Sequence, residues 1–383
     1  MLKSLVIKNF RTLADFEVAK LGRVNLIVGK NNSGKSSVLE ALRIYAGNGQ
    51  RVLLETISAQ HGEKVRFRKD VQTEDASVPF QDFFTGREFP TDSEKAIQIG
   101  SFEDGKNILR IEHAFISESE ETITNATGEI STRFRRQVLS KPELQEFLGE
   151  VTQALIITKG GKSYPPFLLD SLDSRSKFPI NPIMFANVIS CSVIPTQFVS
   201  PDELADEWDK IVLTEYEDVV KQAMRIIAPE FENLTFVRNE DAPNRFRRSA
   251  IVKMLNIPKP VPLNSLGDGV LRILQLALKI FSAKGGFFLI DEFENGLHYS
   301  VQEKIWALLF EMAEKLDIQV FATTHSWDCI ESFSKVAIDR KDIDGVLFRV
   351  GKSVRDSDRG RVIATVFDEE ALYSITQSDV EVR

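Results

Sequence analysis

Apolar residues fall along this chain in short, nearly continuous runs at both ends, with a broken pattern between them. Leu2–Phe10 alternates loosely and predicts a strand, Asp15–Ala19 a second, and Val24–Val28 a short buried run. Gly29 opens a glycine-containing loop. Behind it Val38, Leu42 and Tyr45 recur at helical spacing, which predicts a helix from Gly34 to Ala46 stopped by Gly47. Order returns after Leu263. Asp268 reads as the N-cap of an apolar-rich helix, Gly269–Ala283, ended by Gly285 and Gly286. A buried strand, Phe287–Ile290, a helix over 300–315 and another buried strand, Ile318–Thr323, follow. Apolar strands alternating with helices imply an α/β domain with a mainly parallel core sheet.

The middle, from about 50 to 260, is less regular. Ile108–Phe115 reads as a strand, and helices are expected near 141–157 and 201–228. Prolines at Pro165–Pro166, Pro179–Pro182 and Pro258–Pro262 look like breaks between units. No heptad pattern persists, and neither repeats nor low-complexity tracts occur.

Composition narrows the class. The 383 residues are 43% hydrophobic and 27% charged, which excludes wholesale disorder. At roughly 150 residues per domain, one large domain or two to three smaller ones are expected. A net charge of -8 argues against a generally basic nucleic-acid coat but leaves local patches open. Two cysteines cannot form a disulfide framework, and no apolar run approaches the roughly 18 residues of a membrane span. The start lacks a signal-peptide pattern, so a cytoplasmic protein is expected.

Residues 29–36 match G-x-x-x-x-G-K-[ST], between a buried strand and a helix start. In that setting the glycines turn backbone N–H groups toward phosphate oxygens, and the helix N-terminus adds its positive end. Lys35 would reach the β- and γ-phosphates, and the Ser36 hydroxyl would ligate Mg²⁺. Far downstream, the apolar strand Phe287–Ile290 runs into Asp291 and Glu292. Asp291 suits Mg²⁺ and Glu292 suits activation of the attacking water. Ser265-Leu-Gly267-Asp268-Gly269 opens a helix and offers backbone N–H groups and a hydroxyl to an anion. His325 follows a buried strand and suits hydrogen bonding to a γ-phosphate.

These pieces, in this order, resemble the ATPase domain of the ABC-type superfamily, in the branch of RecF, SMC and overcoming-lysogenization-defect (OLD) proteins. The resemblance implies an ABC-type P-loop ATPase with a mixed, mainly parallel core sheet and a mostly helical insertion. The core would comprise residues 1–50 and 260–383, with 51–259 an inserted α/β and helical, partner- or dimer-contacting region. It implies that Gly29, Asn31, Asn32, Ser33, Gly34, Lys35, Ser36 and Ser37 form the Walker A loop around ATP. Ser36 and Asp291 would hold Mg²⁺, with Glu292, Lys35 and His325 catalytic. Ser265, Gly267, Asp268 and Gly269 would be the signature presented in trans by a head-to-tail partner subunit. Arg11 is matched to an arginine near the phosphates and Asn295–His298 to the dimer-interface segment, while the resemblance leaves the glutamine-loop residue unassigned, with Gln197 a candidate.

OLD proteins continue into a Toprim nuclease, whereas fewer than 60 residues follow His325 here. Asp356-Ser-Asp358 is a D-x-D, but its surroundings read as a polar turn between strands. The expectation is an ATPase that senses and scaffolds in anti-phage defence and controls a separate Toprim or nuclease-like effector. The ATPase subunits of PARIS-type systems resemble this arrangement. A RecF-like repair ATPase is the alternative. Lys64–Lys69, Arg133–Arg136 and Arg245–Arg248 interleave cations with phenylalanine and keep DNA binding open, though alternation also describes a half-exposed strand.

Overall fold

Branched and apolar side chains decide which segments of this chain become buried strands. The computed structural model describes residues 1–63, 78–90, 95–124, 130–139, 141–169, 188–238, 248–358, 360–367 and 372. The chain opens with β1 (Leu5–Phe10) and β2 (Leu13–Val18), then β3 (Val24–Val28), in which all five side chains are buried. Helix α1 (Lys35–Ala46) follows, burying Val38, Leu42 and Tyr45 as the spacing predicts. Next come α2 (Arg51–Gln60), β4 (Ile97–Gly100), β5 (Leu109–Thr124), β6 (Ile130–Leu139), α3 (Lys141–Glu146), β7 (Val151–Lys159), β8 (Lys162–Ser163) and β9 (Phe167–Leu168). The described insertion is therefore richer in strand than the mostly helical segment expected. The helix expected over 141–157 stops at Glu146. Gly149 intervenes, and the branched set Val151, Thr152, Ile156, Ile157 and Thr158 favours a pleated strand over a helix.

The second half runs β10 (Cys191–Ile194), α4 (Pro201–Ile211), α5 (Glu215–Ile227), β11 (Phe231–Arg238), β12 (Arg248–Met254) and β13 (Val261–Pro262). Then come α6 (Asp268–Lys279), β14 (Phe287–Ile290), α7 (Tyr299–Lys315), β15 (Gln319–Thr324), α8 (Trp327–Asp339), β16 (Gly345–Lys352) and β17 (Val362–Phe367). The expected helical stretch 201–228 is two helices with separate caps. Ser200 Oγ accepts from the Glu203 N–H with Pro201 in the first turn, and Thr214 Oγ1 accepts from the Tyr216 N–H. Asp268 is the first helical residue of α6 and not its cap; Gly267, at φ 93°, takes that place.

Two compact units result, one of Met1–Leu5, Phe16–Ala46 and Ile189–Arg383, the other of Val6–Asp15 and Gly47–Val188. The first contains a six-stranded sheet ordered β10-β14-β15-β3-β16-β17, parallel except for β17 against β16. Its buried core gathers Trp306, Phe310 and Phe333 with the apolar faces of α5, α6 and α7, and it also holds the three-stranded sheet β11-β12-β13. Buried polar side chains tie its start in place: Asn25 bonds Gly22 and the Val320 carbonyl, and Gln319 bonds both Leu2 and Gly22. In the second unit antiparallel strands run in the order β4-β5-β7-β8, with β6 on β5 and β9 on β7. Among the described residues, no helix is long and apolar enough to cross a membrane.

Candidate nucleotide site

The sheet order explains how residues 250 positions apart come together. Strand β15 lies between β3, which feeds the glycine loop, and β14, which delivers the acidic pair. Register places Thr324 opposite Val28 and Ala322 opposite Ile290, so Thr323 stands at the level of Asp291. Its hydroxyl donates to Asp291 Oδ1 at 2.7 Å and accepts the Glu292 N–H at 2.8 Å. Thr196, just past β10, donates to Asp291 Oδ2 at 3.0 Å.

The loop itself has the backbone that glycine and asparagine allow. Gly34 has φ 105° and Asn32 φ 60°. A Cβ at Gly29 would stand 2.3 Å from the Val350 carbonyl oxygen, so only glycine fits. Asn31 and Asn32 are exposed, Ser33 and Ser37 half-buried, and Lys35 buried at the start of α1. The Lys35 ammonium donates to the carbonyls of Gly29 at 2.7 Å and Lys30 at 3.0 Å. Burial pushes its pKa down from 10.5, and the carboxylates of Asp291, Glu292 and Glu294 partly oppose that.

Ser36 Oγ lies 3.3 Å from both carboxylate oxygens of Asp291. A hydroxyl and a carboxylate converging at a phosphate loop, with the carboxylate pinned by two threonines, are the hard oxygen donors that Mg²⁺ selects. The residues present thus fit the ion, with Ser36 and Asp291 as the side chains that would hold it.

Glu292 takes a left-handed φ of 49°, and the next residue is an anchor: Phe293 is fully buried, its ring 3.9 Å from that of Trp306. His325 Nδ1 is 3.7 Å from Glu292 Oε1 and 3.2 Å from Glu294 Oε1. The structure thus gathers Lys35, Ser36, Asp291, Glu292 and His325. Ser265, Gly267 and Asp268 are exposed at the start of α6, with Ser265 Oγ donating to the Pro262 carbonyl at 2.7 Å. Gly269 is tightly packed, since a Cβ there would lie 2.8 Å from the Gly296 carbonyl oxygen. Gln197 is exposed one residue beyond Thr196, and Asn295 Nδ2 donates to the Thr196 carbonyl at 2.7 Å.

Arg11 belongs to the other unit. There its guanidinium makes two hydrogen bonds to Glu63, at 2.9 and 3.3 Å, and lies 5.1 Å from the Phe83 ring centre. Arg136 pairs with Glu118 and Arg248 with Asp209. The Lys64–Lys69 cluster and residues 245–247 lie outside the described residues, as do the side chains of 133–135. Asp356–Asp358 forms a short turn between β16 and β17.

Arg272 has no precedent in the motifs. Fully buried on α6, it donates to the carbonyls of Pro195 at 2.8 Å, Asp291 at 2.8 Å and Glu292 at 2.7 Å. Burial lowers its pKa to about 10, against the pull of the neighbouring carboxylates. One signal was visible: a single cation inside the apolar run Val270–Leu278.

Fold and site together have the arrangement of a P-loop ATPase. Two family models agree. One described as "AAA ATPase domain" matches residues 1–185, and one described as "AAA domain, putative AbiEii toxin, Type IV TA system" matches 214–328. An ATP/GTP phosphatase of Helicobacter pylori is 24% identical over 365 residues, spanning 89% of this chain and 90% of that protein. Among solved structures, an SMC head bound to the C-winged helix domain of ScpA is 14% identical over 97% of this chain and 99% of that one, with TM-score 0.49. The SMC head domain from Thermotoga maritima is 14% identical over 96% and 99%, with TM-score 0.43. The chain is an enzyme that hydrolyses ATP.

Proposed function

We propose that this ATPase is a nucleotide-gated sensor and scaffold in anti-phage defence, acting on a separate Toprim or nuclease-like effector. The observation that carries the first half is the split in the site. Lys35, Ser36, Asp291, Glu292 and His325 converge, while Ser265, Gly267 and Asp268 open α6 on exposed surface. Two chains facing head to tail would place one subunit's helix start on the other's phosphates, supplying the N–H dipoles that a γ-phosphate attracts. Support for the second half is the toxin–antitoxin description of the model matching 214–328, together with the OLD-like motif order. A DNA-repair reading draws less support, because the charges of Arg136 and Arg248 are already paired.

In this reading Lys35 leaves the Gly29 and Lys30 carbonyls to neutralise the β- and γ-phosphates. Mg²⁺, when held by Ser36 and Asp291, supplies charge neutralisation on the phosphate oxygens. Glu292 orients water for in-line attack, and Arg272 fixes the backbone that carries it. Hydrolysis then separates the pair and changes what the scaffold presents.

The test is affinity capture of the tagged Glu292→Gln chain, co-expressed with its genomic neighbours, with and without ATP. A nuclease-like protein retained only with ATP supports the proposal. Retention of DNA with no such protein would move the assignment to repair.

A further inference from the structure

Glu294 is a third carboxylate in this site, and neither the phosphate loop nor the attacking water has a use for it. Its position is nonetheless fixed. Oε1 accepts the His325 backbone N–H at 3.0 Å and lies 3.2 Å from the same residue's ring Nδ1, while Oε2 is buried without a protein hydrogen-bond partner. The side chain is largely buried, and the imidazole opposite is about half exposed. One oxygen therefore accepts from the backbone of His325 and stands within ion-pair distance of its ring. Glu292 Oε1 stands further off, at 3.7 Å from that nitrogen.

A carboxylate oxygen only accepts, so the arrangement it favours is one with hydrogen on the ring nitrogen beside it. Which nitrogen of a histidine faces a substrate is set by the partner of the other. We propose that Glu294 is a positioning residue for ATP hydrolysis: it holds His325 by Nδ1 and commits Nε2 to the γ-phosphate. As the imidazolium, His325 then donates from Nε2 to a phosphate oxygen while Nδ1–H stays on Glu294. The same grip keeps the ring from turning fully onto Glu292, leaving that carboxylate for water. The inference rests on the reading of His325 as a γ-phosphate contact.

A kinetic cycle separates the two. ATP turnover is measured for wild type, Glu294→Ala, Glu294→Gln, His325→Ala and the Glu294→Ala/His325→Ala double variant. For histidines that ligate metals, removing the partner that orients the ring usually lowers affinity or activity by about 10- to 100-fold, and a loss on that scale is expected here. Glu294→Ala is expected to lower kcat by that factor with KM for ATP within about twofold, and the double variant to match His325→Ala alone. Glu294→Gln retains an acceptor oxygen and should recover most of the loss, which also answers the objection that the alanine variant is misfolded. Equal losses from Glu294→Ala in the presence and absence of His325 would overturn the inference, as would a Gln variant no better than Ala. Normal turnover by His325→Ala would instead overturn the reading of His325 itself, and the inference with it.

Discussion

Replacing Arg272 by methionine keeps the length and most of the volume of the side chain but removes its fork of donors. Three hydrogen bonds from a charged group are lost, to Pro195, Asp291 and Glu292, each worth about 1.5–3 kcal/mol. Against this, the buried charge no longer has to be desolvated. A pKa lowered from 12.5 to about 10 corresponds to about 3 kcal/mol of that cost. The difference leaves a destabilisation of about 1.5–6 kcal/mol, read from the urea midpoint at neutral pH. Because two of the three carbonyls belong to Asp291 and Glu292, the residues proposed to hold metal and activate water, kcat should fall by at least about tenfold, since such groups act only when positioned. Arg272→Lys keeps a charge but cannot span three carbonyls, so it should recover little. A methionine variant within about 0.5 kcal/mol of wild type and with normal turnover would refute the view that this fork organises the site.

Two further outcomes follow from other groups. Lys35→Ala should abolish ATP binding, measured by calorimetry, while leaving the fold intact by circular dichroism; unchanged affinity would refute the assigned phosphate site. Burial lowers the Lys159 pKa from 10.5 to about 8. Below pH 8 both folded and unfolded chains hold this proton, and burying the ammonium costs stability; between pH 8 and 10.5 the unfolded chain binds more proton, so stability contributed here rises with pH. Lys159→Met should remove that rise from a series of urea midpoints, and an unaltered profile would assign it elsewhere.

The parts of this site legible in the sequence are those whose chemistry depends on short spacing. Gly29 to Ser36 and the step from Ile290 to Asp291 need only neighbours, and an apolar strand before each motif already indicates where it points. Thr196, Thr323 and Arg272 were not legible in the same way. They act through β10, β15 and α6 packed beside β14, and a strand order of β10-β14-β15-β3 cannot be read from residues far apart in the chain. The middle misled for another reason. Strand β7 has no strict alternation, with Ala154, Leu155 and Ile157 buried, so its apolar run has the look of a helix face and only its branched residues mark it as a strand. The partner of Arg11 was not legible either, since Glu63, which engages its guanidinium, lies outside any motif.

The most direct test of a composite site is a mixture of two disabled chains. Lys35→Ala lacks a working phosphate loop, and Ser265→Arg blocks the exposed turn, so each alone should be inactive. Mixed pairs would contain one intact site, made of the loop from one chain and the turn from the other. With random pairing about half the pairs are mixed and each has one of two sites intact. ATP turnover near one quarter of wild type is therefore the expected result. A mixture as inactive as its components, or Ser265→Arg alone hydrolysing ATP at the normal rate, would contradict a site shared between two chains.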